Sequence, residues 1–222
     1  MQRHFEEKLT ELKQLVLTMA GEVEHQLTLA VRSVIERRSD LAEEVIAGDA
    51  RIDRREIEVD QRIIELIVRE RPLARDLRLV ITALKVAPDL ERVADHAVNI
   101  AEQALQLSRV PQLKPFVTMP QMATTAVSMV RDAIAAFVGG DAALARAVIA
   151  RDDQVDASHL EIFRELLTYM MEDPKTITRA LSLLLVSRSL ERIADQATNI
   201  AEQVVFLVEG EDIRHRHPEE RE

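Results

Sequence analysis

A block of fourteen residues occurs twice in this chain, and the repeat limits the possible folds more than any other feature. It reads LERVADHAVNIAEQ from Leu90 and LERIADQATNIAEQ from Leu190, 100 residues later. Such a block does not recur at matching places by chance, so the chain is an internal duplication of a unit of roughly 100 residues. A weaker match joins two further sets of residues, Ile46, Asp49, Ile52 and Asp53 with Ile149, Asp152, Val155 and Asp156.

The periodicity of the apolar residues predicts a helical fold. From Phe5 to Val34, apolar side chains recur every three or four residues, which is the pattern of a long amphipathic helix. The chain has only 5 glycines and 3% aromatic residues, and strong helix formers dominate it. With breaks at Ser39-Asp40, Pro72, Gly139-Gly140 and Asp173-Pro174, we predict six helices, at about 5–34, 39–71, 72–108, 120–138, 142–172 and 175–208.

The arrangement of these helices follows from their short connections. Short connections make neighbouring helices antiparallel, and each apolar stripe must be covered by the other helices of its unit. We therefore predict an all-α, elongated protein made of two tandem three-helix bundles. The first bundle spans 1–109, a proline-containing linker spans 110–119 and the second bundle spans 120–208, while the polar residues 209–222 are predicted to be disordered.

Composition argues against several classes of function. The net charge of −10 would repel nucleic acid, so we expect no nucleic-acid partner. The chain has no cysteine, which excludes disulfides and thiolate metal sites. The N-terminal residues lack the apolar segment of a signal peptide, and no stretch approaches the roughly 18 apolar residues of a membrane span. We expect a cytoplasmic protein with no direct membrane insertion.

Each unit carries two pairs of carboxylates, and the two members of a pair are four residues apart. Four residues make about one helical turn, so both carboxylates of a pair lie on one face. The two pairs of a unit lie at similar distances on either side of a turn, at Arg71-Pro72 or at Asp173-Pro174. An antiparallel hairpin would bring all four together. The first unit has Asp49/Asp53 and Glu91/Asp95, and the second has Asp152/Asp156 and Glu191/Asp195.

Two interpretations of these carboxylates remain open at the level of sequence. They can bind metal, or they can be surface acids that pair with nearby arginines such as Arg92 and Arg192. Oxygen donors without thiolates favour iron, manganese, magnesium or calcium, with zinc as a further choice. Catalytic motifs and the paired histidines of a ferritin-like site are missing, so we expect no enzyme. The alternative is a carboxylate-bridged metalloenzyme in a helical bundle.

The duplicated Leu-Glu-Arg-(Val/Ile)-Ala-Asp-x-Ala-x-Asn-Ile-Ala-Glu block on long helices resembles the signature of the PhoU family of phosphate-uptake regulators. The resemblance covers about residues 3–208. It implies metal clusters at the acidic motifs, which here are Glu91/Asp95 and Glu191/Asp195, joined by Asp49/Asp53 and Asp152/Asp156. Asn99 and Asn199 match an asparagine of the family that supports the site. His96 becomes Gln196 in the second copy, so the two sites are unequal.

The resemblance also implies a function. Members are accessory proteins of the high-affinity phosphate ABC transporter. They link its ATPase subunit to a membrane sensor histidine kinase, and they repress phosphate-starvation genes and phosphate uptake when phosphate is plentiful. We therefore expect a non-enzymatic regulatory adaptor that forms a homodimer and reaches the inner face of the membrane through its partners.

Overall fold

The computed structural model describes residues 2–70, 72–114 and 116–213, and the chain folds into seven α-helices in these ranges. A short 3₁₀ turn, Pro174–Thr176, precedes the last helix. The longest helices have 34 and 35 residues and are about 50 Å long. The helices are α1 Gln2–Ile35, α2 Ser39–Glu70, α3 Ala74–Ser108, α4 Thr118–Gly139, α5 Ala142–Ile149, α6 Asp152–Glu172 and α7 Ile177–Glu209.

The predicted all-α fold of two tandem helical bundles is confirmed, with one difference in the second. The prediction of a single helix over 142–172 is wrong, because the chain leaves the α-helix at Ala150 and Arg151. The Arg151 N–H bonds to the carbonyl of Val148 at 3.0 Å, in the tighter pattern of a 3₁₀ turn. Its guanidinium donates to Asp132 Oδ2 at 2.5 Å and Ser128 Oγ at 3.1 Å, which fixes the break against α4.

The helix ends differ from the predicted ends by a few residues. Helix α3 begins at Ala74 rather than at Pro72, and α4 begins at Thr118 rather than at 120. Residues 109–117 between these two helices contain no helix where the structure describes them. The predicted turn residue Arg71 and most of the predicted disordered tail, 214–222, lie outside the described residues.

The two bundles share one continuous hydrophobic core. Helices α1, α2 and α3 pack on one another, α4 to α7 do the same, and the most extensive packing of all joins α3 to α7. Helix α1 also packs against α4, whereas α2 and α6 lie at the two flanks and pack mainly within their own repeat.

Helices α3 and α7 run antiparallel across the contact between the repeats. The Ser182 hydroxyl, near the start of α7, lies 3.5 Å from Gln106 Oε1 near the end of α3. Residues nearer the start of α3 face residues nearer the end of α7. Each repeat therefore meets the other through its equivalent helix, and the two hairpin turns lie toward opposite ends of the molecule.

Helix α4 alone, among the helices of the described residues, has the length and mean hydropathy of a membrane span. Half of its most apolar window, 50%, is buried inside the protein. It packs against α7 and α1, with Met122, Met129 and Phe137 in the core. Its apolar character is therefore that of a core helix.

Candidate functional site

The hairpin of α2 and α3 gathers the four acidic side chains predicted for the first bundle. Asp49 and Asp53 lie on α2, whereas Glu91 and Asp95 lie on α3. The charges of Asp53 and Asp95 both act on Asp49, and those of Asp95 and Asp53 both act on Glu91. Because charge effects of this kind fade within about 10 Å in salt water, the four carboxylates share one region. We call these four residues the first carboxylate group.

Burial and mutual repulsion raise the pKa values in this group. Burial, followed by the charges of Asp53 and Asp95, raises the pKa of Asp49. Burial, Asp95, Glu56 and Asp53 raise the pKa of Glu91 to about 7. A carboxyl with such a pKa is only partly ionised at neutral pH. The first group therefore carries more negative charge than its surroundings compensate.

The hairpin of α6 and α7 gathers three of the four acidic side chains predicted for the second bundle. Asp152 and Asp156 lie at the start of α6, and Asp195 lies on α7. Burial, Asp195 and Asp156 raise the pKa of Asp152 to about 6, while the hydroxyl of Thr198 opposes that rise. Burial and Asp195 likewise raise the pKa of Asp156. Asp152, Asp156 and Asp195 form the second carboxylate group.

Glu191 and the two asparagines lie outside these groups. Glu191 Oε2 is 3.7 Å from Arg192 Nε, and Glu191 is not among the charges that raise the pKa of Asp152. Asn99 lines a cleft between α3 and α7. The side chain of Asn199 is exposed on α7. A metal-binding role for these three residues stays a prediction.

Two residues beside the groups were missed by the sequence analysis. Burial, Asp60 and Asp53 raise the pKa of Glu56, which belongs to the same electrostatic set as Asp53. Its position, seven residues after Asp49 on the same helix face, was the available signal. The second is Thr198, whose hydroxyl faces Asp152, although neither Thr198 Oγ1 nor Asp152 Oδ1 makes a hydrogen bond of normal geometry to the described residues.

One buried oxygen in each group fits a bound cation. Asp49 Oδ1 and Asp152 Oδ1 are equivalent atoms of the two repeats, and both are buried without a hydrogen-bond partner in the described part of the chain. An uncompensated buried carboxylate oxygen is costly, and a cation would compensate it. Carboxylate and hydroxyl oxygens are the donors that hard cations prefer. Because no three described His, Asp or Glu side chains are yet close enough to hold a metal, the side chains would have to close on the ion.

Comparison with known proteins agrees with the duplication. The family described as PhoU domain matches the chain twice, over residues 16–104 and 119–204. The chain is 41% identical over 214 residues to the phosphate-specific transport system accessory protein PhoU homolog of Pseudomonas putida, covering 96% of this chain and 84% of that protein. The homolog of the same name from Aquifex aeolicus is also 41% identical over 214 residues, with 96% and 97% covered.

Two crystal structures share this fold along nearly the whole chain. The match to PhoU from Pseudomonas aeruginosa has a TM-score of 0.90 at 39% identity, and it covers 93% of this chain and 100% of that one. The match to the phosphate transport system regulatory protein PhoU from Streptococcus pneumoniae has a TM-score of 0.87 at 28% identity, with 94% and 99% covered. The resemblance drawn from the repeated block is thus confirmed, and the chain belongs to the PhoU family.

Proposed function

We propose that this protein is a cytoplasmic, non-enzymatic adaptor that regulates phosphate uptake and phosphate-starvation genes. Relatives at 41% identity are accessory proteins of the phosphate-specific transport system, and a structural relative is a regulatory protein of phosphate transport. The adaptor contacts the ATPase subunit of the phosphate ABC transporter and a membrane sensor histidine kinase. It holds both in a repressing state when phosphate is plentiful.

The observation that carries this proposal is a pair of equivalent apolar stripes on the two flanking helices. The first apolar stripe consists of Ile57, Ile64 and Val68 on α2, and Val68 is 68% exposed. The second consists of Leu160, Leu167 and Met171 on α6, and Met171 is 79% exposed. Members of each stripe are seven and four residues apart, so they share one helix face. Exposed apolar residues that line up in this way mark a protein-binding surface.

The two stripes suit an adaptor because they lie far apart. Each stripe runs toward the hairpin turn of its own repeat, and the antiparallel packing of α3 and α7 directs the two turns toward opposite ends of the molecule. A protein that joins two partners needs two separate surfaces. Duplication of the helical unit supplies them, one stripe for the transporter ATPase and one for the kinase.

We further propose that the two carboxylate groups bind hard cations. Asp49, Asp53, Glu91 and Asp95 would hold one cation, and Asp152, Asp156 and Asp195 would hold the other, with iron, manganese, magnesium, calcium and zinc as the possible ions. A bound cation would neutralise the repulsion that raises the pKa values and would fix each hairpin. The protein would assemble as a homodimer, which sedimentation analysis of the purified chain tests.

One experiment separates the regulatory and the metal proposals. The four carboxylates of each predicted set are replaced with alanine, and bound metal is measured by elemental analysis in protein purified without chelator. Repression of phosphate-starvation genes is measured in phosphate-replete cells that carry only the variant chain. Wild-type protein is expected to retain metal and to repress, and the variants are expected to lose both.

The other outcomes decide between the interpretations. Lost metal with intact repression would reduce the carboxylate groups to a structural role. A metal-loaded protein that turns over oxygen or peroxide would favour the metalloenzyme instead. Wild-type chain that fails to restore repression would contradict the adaptor.

A further inference from the structure

A cleft of about 320 Å³ lies between α3 and α7, on the contact between the two repeats. It is separate from the apolar stripes and is not needed for the adaptor proposal. Apart from Leu185, the side chains that line it are hydrogen-bond donors or can act as donors. These polar residues are His96, Asn99 and Gln103 of α3 and Arg188, Ser189 and Arg192 of α7.

The side chains that line the cleft include two arginines, in a strongly acidic protein. No Asp or Glu lines it, although the net charge of the chain is −10. Arg188 is exposed and makes no ion pair or hydrogen bond within the described ranges. Arg192 is already ion-paired, with 3.0 Å from its Nη1 to Asp195 Oδ2 and 3.7 Å from its Nε to Glu191 Oε2, so Arg188 is the arginine of the cleft with no acidic partner in the described ranges. The charge of Arg192 also reaches His96, which feels the charges of Asp95 and Asp195 as well.

The equivalent position on the other side of the α3–α7 contact lacks this character. There, Pro88 and Asp89 stand where the cleft has Arg188 and Ser189. Arg92 is paired with Asp89 at 3.2 Å, and Lys85 lies 5.7 Å from the ring centre of Phe206. The two cations on that side are thus already engaged. Only one of two positions made by the duplication has an uncommitted arginine and no acid.

We propose that the cleft between α3 and α7 binds a small oxyanion of the phosphate class through Arg188, Arg192 and His96. Guanidinium groups recognise tetrahedral oxyanions with paired, charge-assisted hydrogen bonds. The amides of Asn99 and Gln103 and the hydroxyl of Ser189 supply further donors around the same space. No Phe, Tyr or Trp lines the cleft to stack on a nucleotide base, and we take the ligand to be the oxyanion itself.

Isothermal titration with inorganic phosphate tests the proposal. The full chain is titrated in buffer with EDTA, so that phosphate cannot bind through a cation on the carboxylate groups, and chloride keeps the ionic strength constant. Saturable binding at one site per chain is expected. Arg188→Gln is expected to weaken it about tenfold or more, because one charged partner is lost.

Two further variants test whether phosphate binding is specific to the cleft. Arg164→Gln removes the same charge from an exposed position on α6 and is expected to bind like the wild type. Ser189→Asp installs the acid found at the equivalent position on α3 and is expected to abolish binding. Sulfate that binds as phosphate does would support an oxyanion site. Binding of acetate without binding of phosphate or sulfate would overturn it.

Heat that does not saturate, or that is equal in wild type and Arg188→Gln, would also overturn the proposal. Circular dichroism of each variant shows whether it is folded, and Arg188 is exposed, so its loss leaves the core intact. A loss of phosphate binding in Arg164→Gln would mean that binding depends only on the overall charge of the chain, which contradicts a specific site.

Discussion

Individual carboxylate groups of this protein are buried at an energetic cost. Asp49 and Asp152 occupy equivalent positions, and each has a buried oxygen without a partner in the described residues. Their raised pKa values have the same first cause, burial, and the same second cause, other carboxylates. Carboxylates with strongly raised pKa values cluster at the functional sites of proteins.

The first prediction concerns Asp152→Asn in metal-free protein. The carboxyl has a pKa of about 6 in the folded state against 3.8 ordinarily, so the folded chain holds its proton to higher pH than the unfolded chain does. The contribution of Asp152 is therefore unfavourable above pH 6, and stability falls as pH rises from about 4 to 6. Asn should stabilise the protein at pH 7 by about 1–2 kcal/mol after allowance for partial exposure.

Urea denaturation at a series of pH values in EDTA measures this effect. Glu172→Gln is the matched control, because it removes the same charge from an exposed position at the other end of α6. The free energy of unfolding of the wild type should fall as pH rises from 4 to 6. This fall should be smaller in Asp152→Asn and unchanged in the control. Equal gains in both variants would show that only the net charge matters.

Helix geometry explains which features the sequence could predict. The 3.6-residue period of apolar side chains predicted the long helices, and the similar distances of Asp49/Asp53 and Glu91/Asp95 from the turn between α2 and α3 predicted that the two pairs would share one region. The break at Arg151 could not be predicted, because it depends on hydrogen bonds to Asp132 and Ser128, which are distant in sequence. The difference between Glu191 and Glu91 has no such explanation, because each is followed by an arginine that acts on it, Arg192 or Arg92.

The two interior glycines of the first bundle give a second prediction. Glycine in a helix interior costs roughly 0.5–1 kcal/mol relative to alanine. A Cβ on Gly21 would meet nothing within 4 Å, whereas a Cβ on Gly48 would lie 2.6 Å from Gln26 Nε2. Gln26 is only 2% exposed and cannot move freely. Gly21→Ala should therefore stabilise the protein by about 0.5–1 kcal/mol, and Gly48→Ala should gain less or destabilise it.

Thermal unfolding monitored by circular dichroism compares these two variants directly. Each serves as the control for the other, since both make the same change in a long helix. Identical shifts in melting temperature would contradict the close contact between Gly48 and Gln26.

At the scale of the whole molecule, the two copies of the duplicated unit pack against each other around one continuous hydrophobic core. Helices α3 and α7 make the most extensive helix contact, and the buried residues form one cluster through both repeats. Separating the two repeats would expose the apolar area of this contact to water, at a free-energy cost of about 25 cal/mol per Å². The two apolar stripes are then held at fixed positions relative to each other.

A third prediction follows, namely that both repeats unfold together. The chain has one tyrosine and no tryptophan, so the fluorescence of Tyr169 on α6 reports on the second repeat alone. Far-ultraviolet circular dichroism reports on both repeats. Urea midpoints from the two probes should coincide. A separate midpoint for Tyr169 would show that the repeats are independent domains.

The most direct test of the adaptor is equilibrium binding of the purified chain to the transporter ATPase subunit and to the cytoplasmic part of the sensor kinase. The wild type should bind both. A charge on one stripe, Ile64→Glu or Leu167→Glu, should weaken binding to one partner by tenfold or more and spare the other. Ala47→Glu and Thr168→Glu, at exposed positions of the same two helices off the stripes, should bind normally. Wild-type protein that binds neither partner, or stripe variants that bind both as the wild type does, would contradict the account.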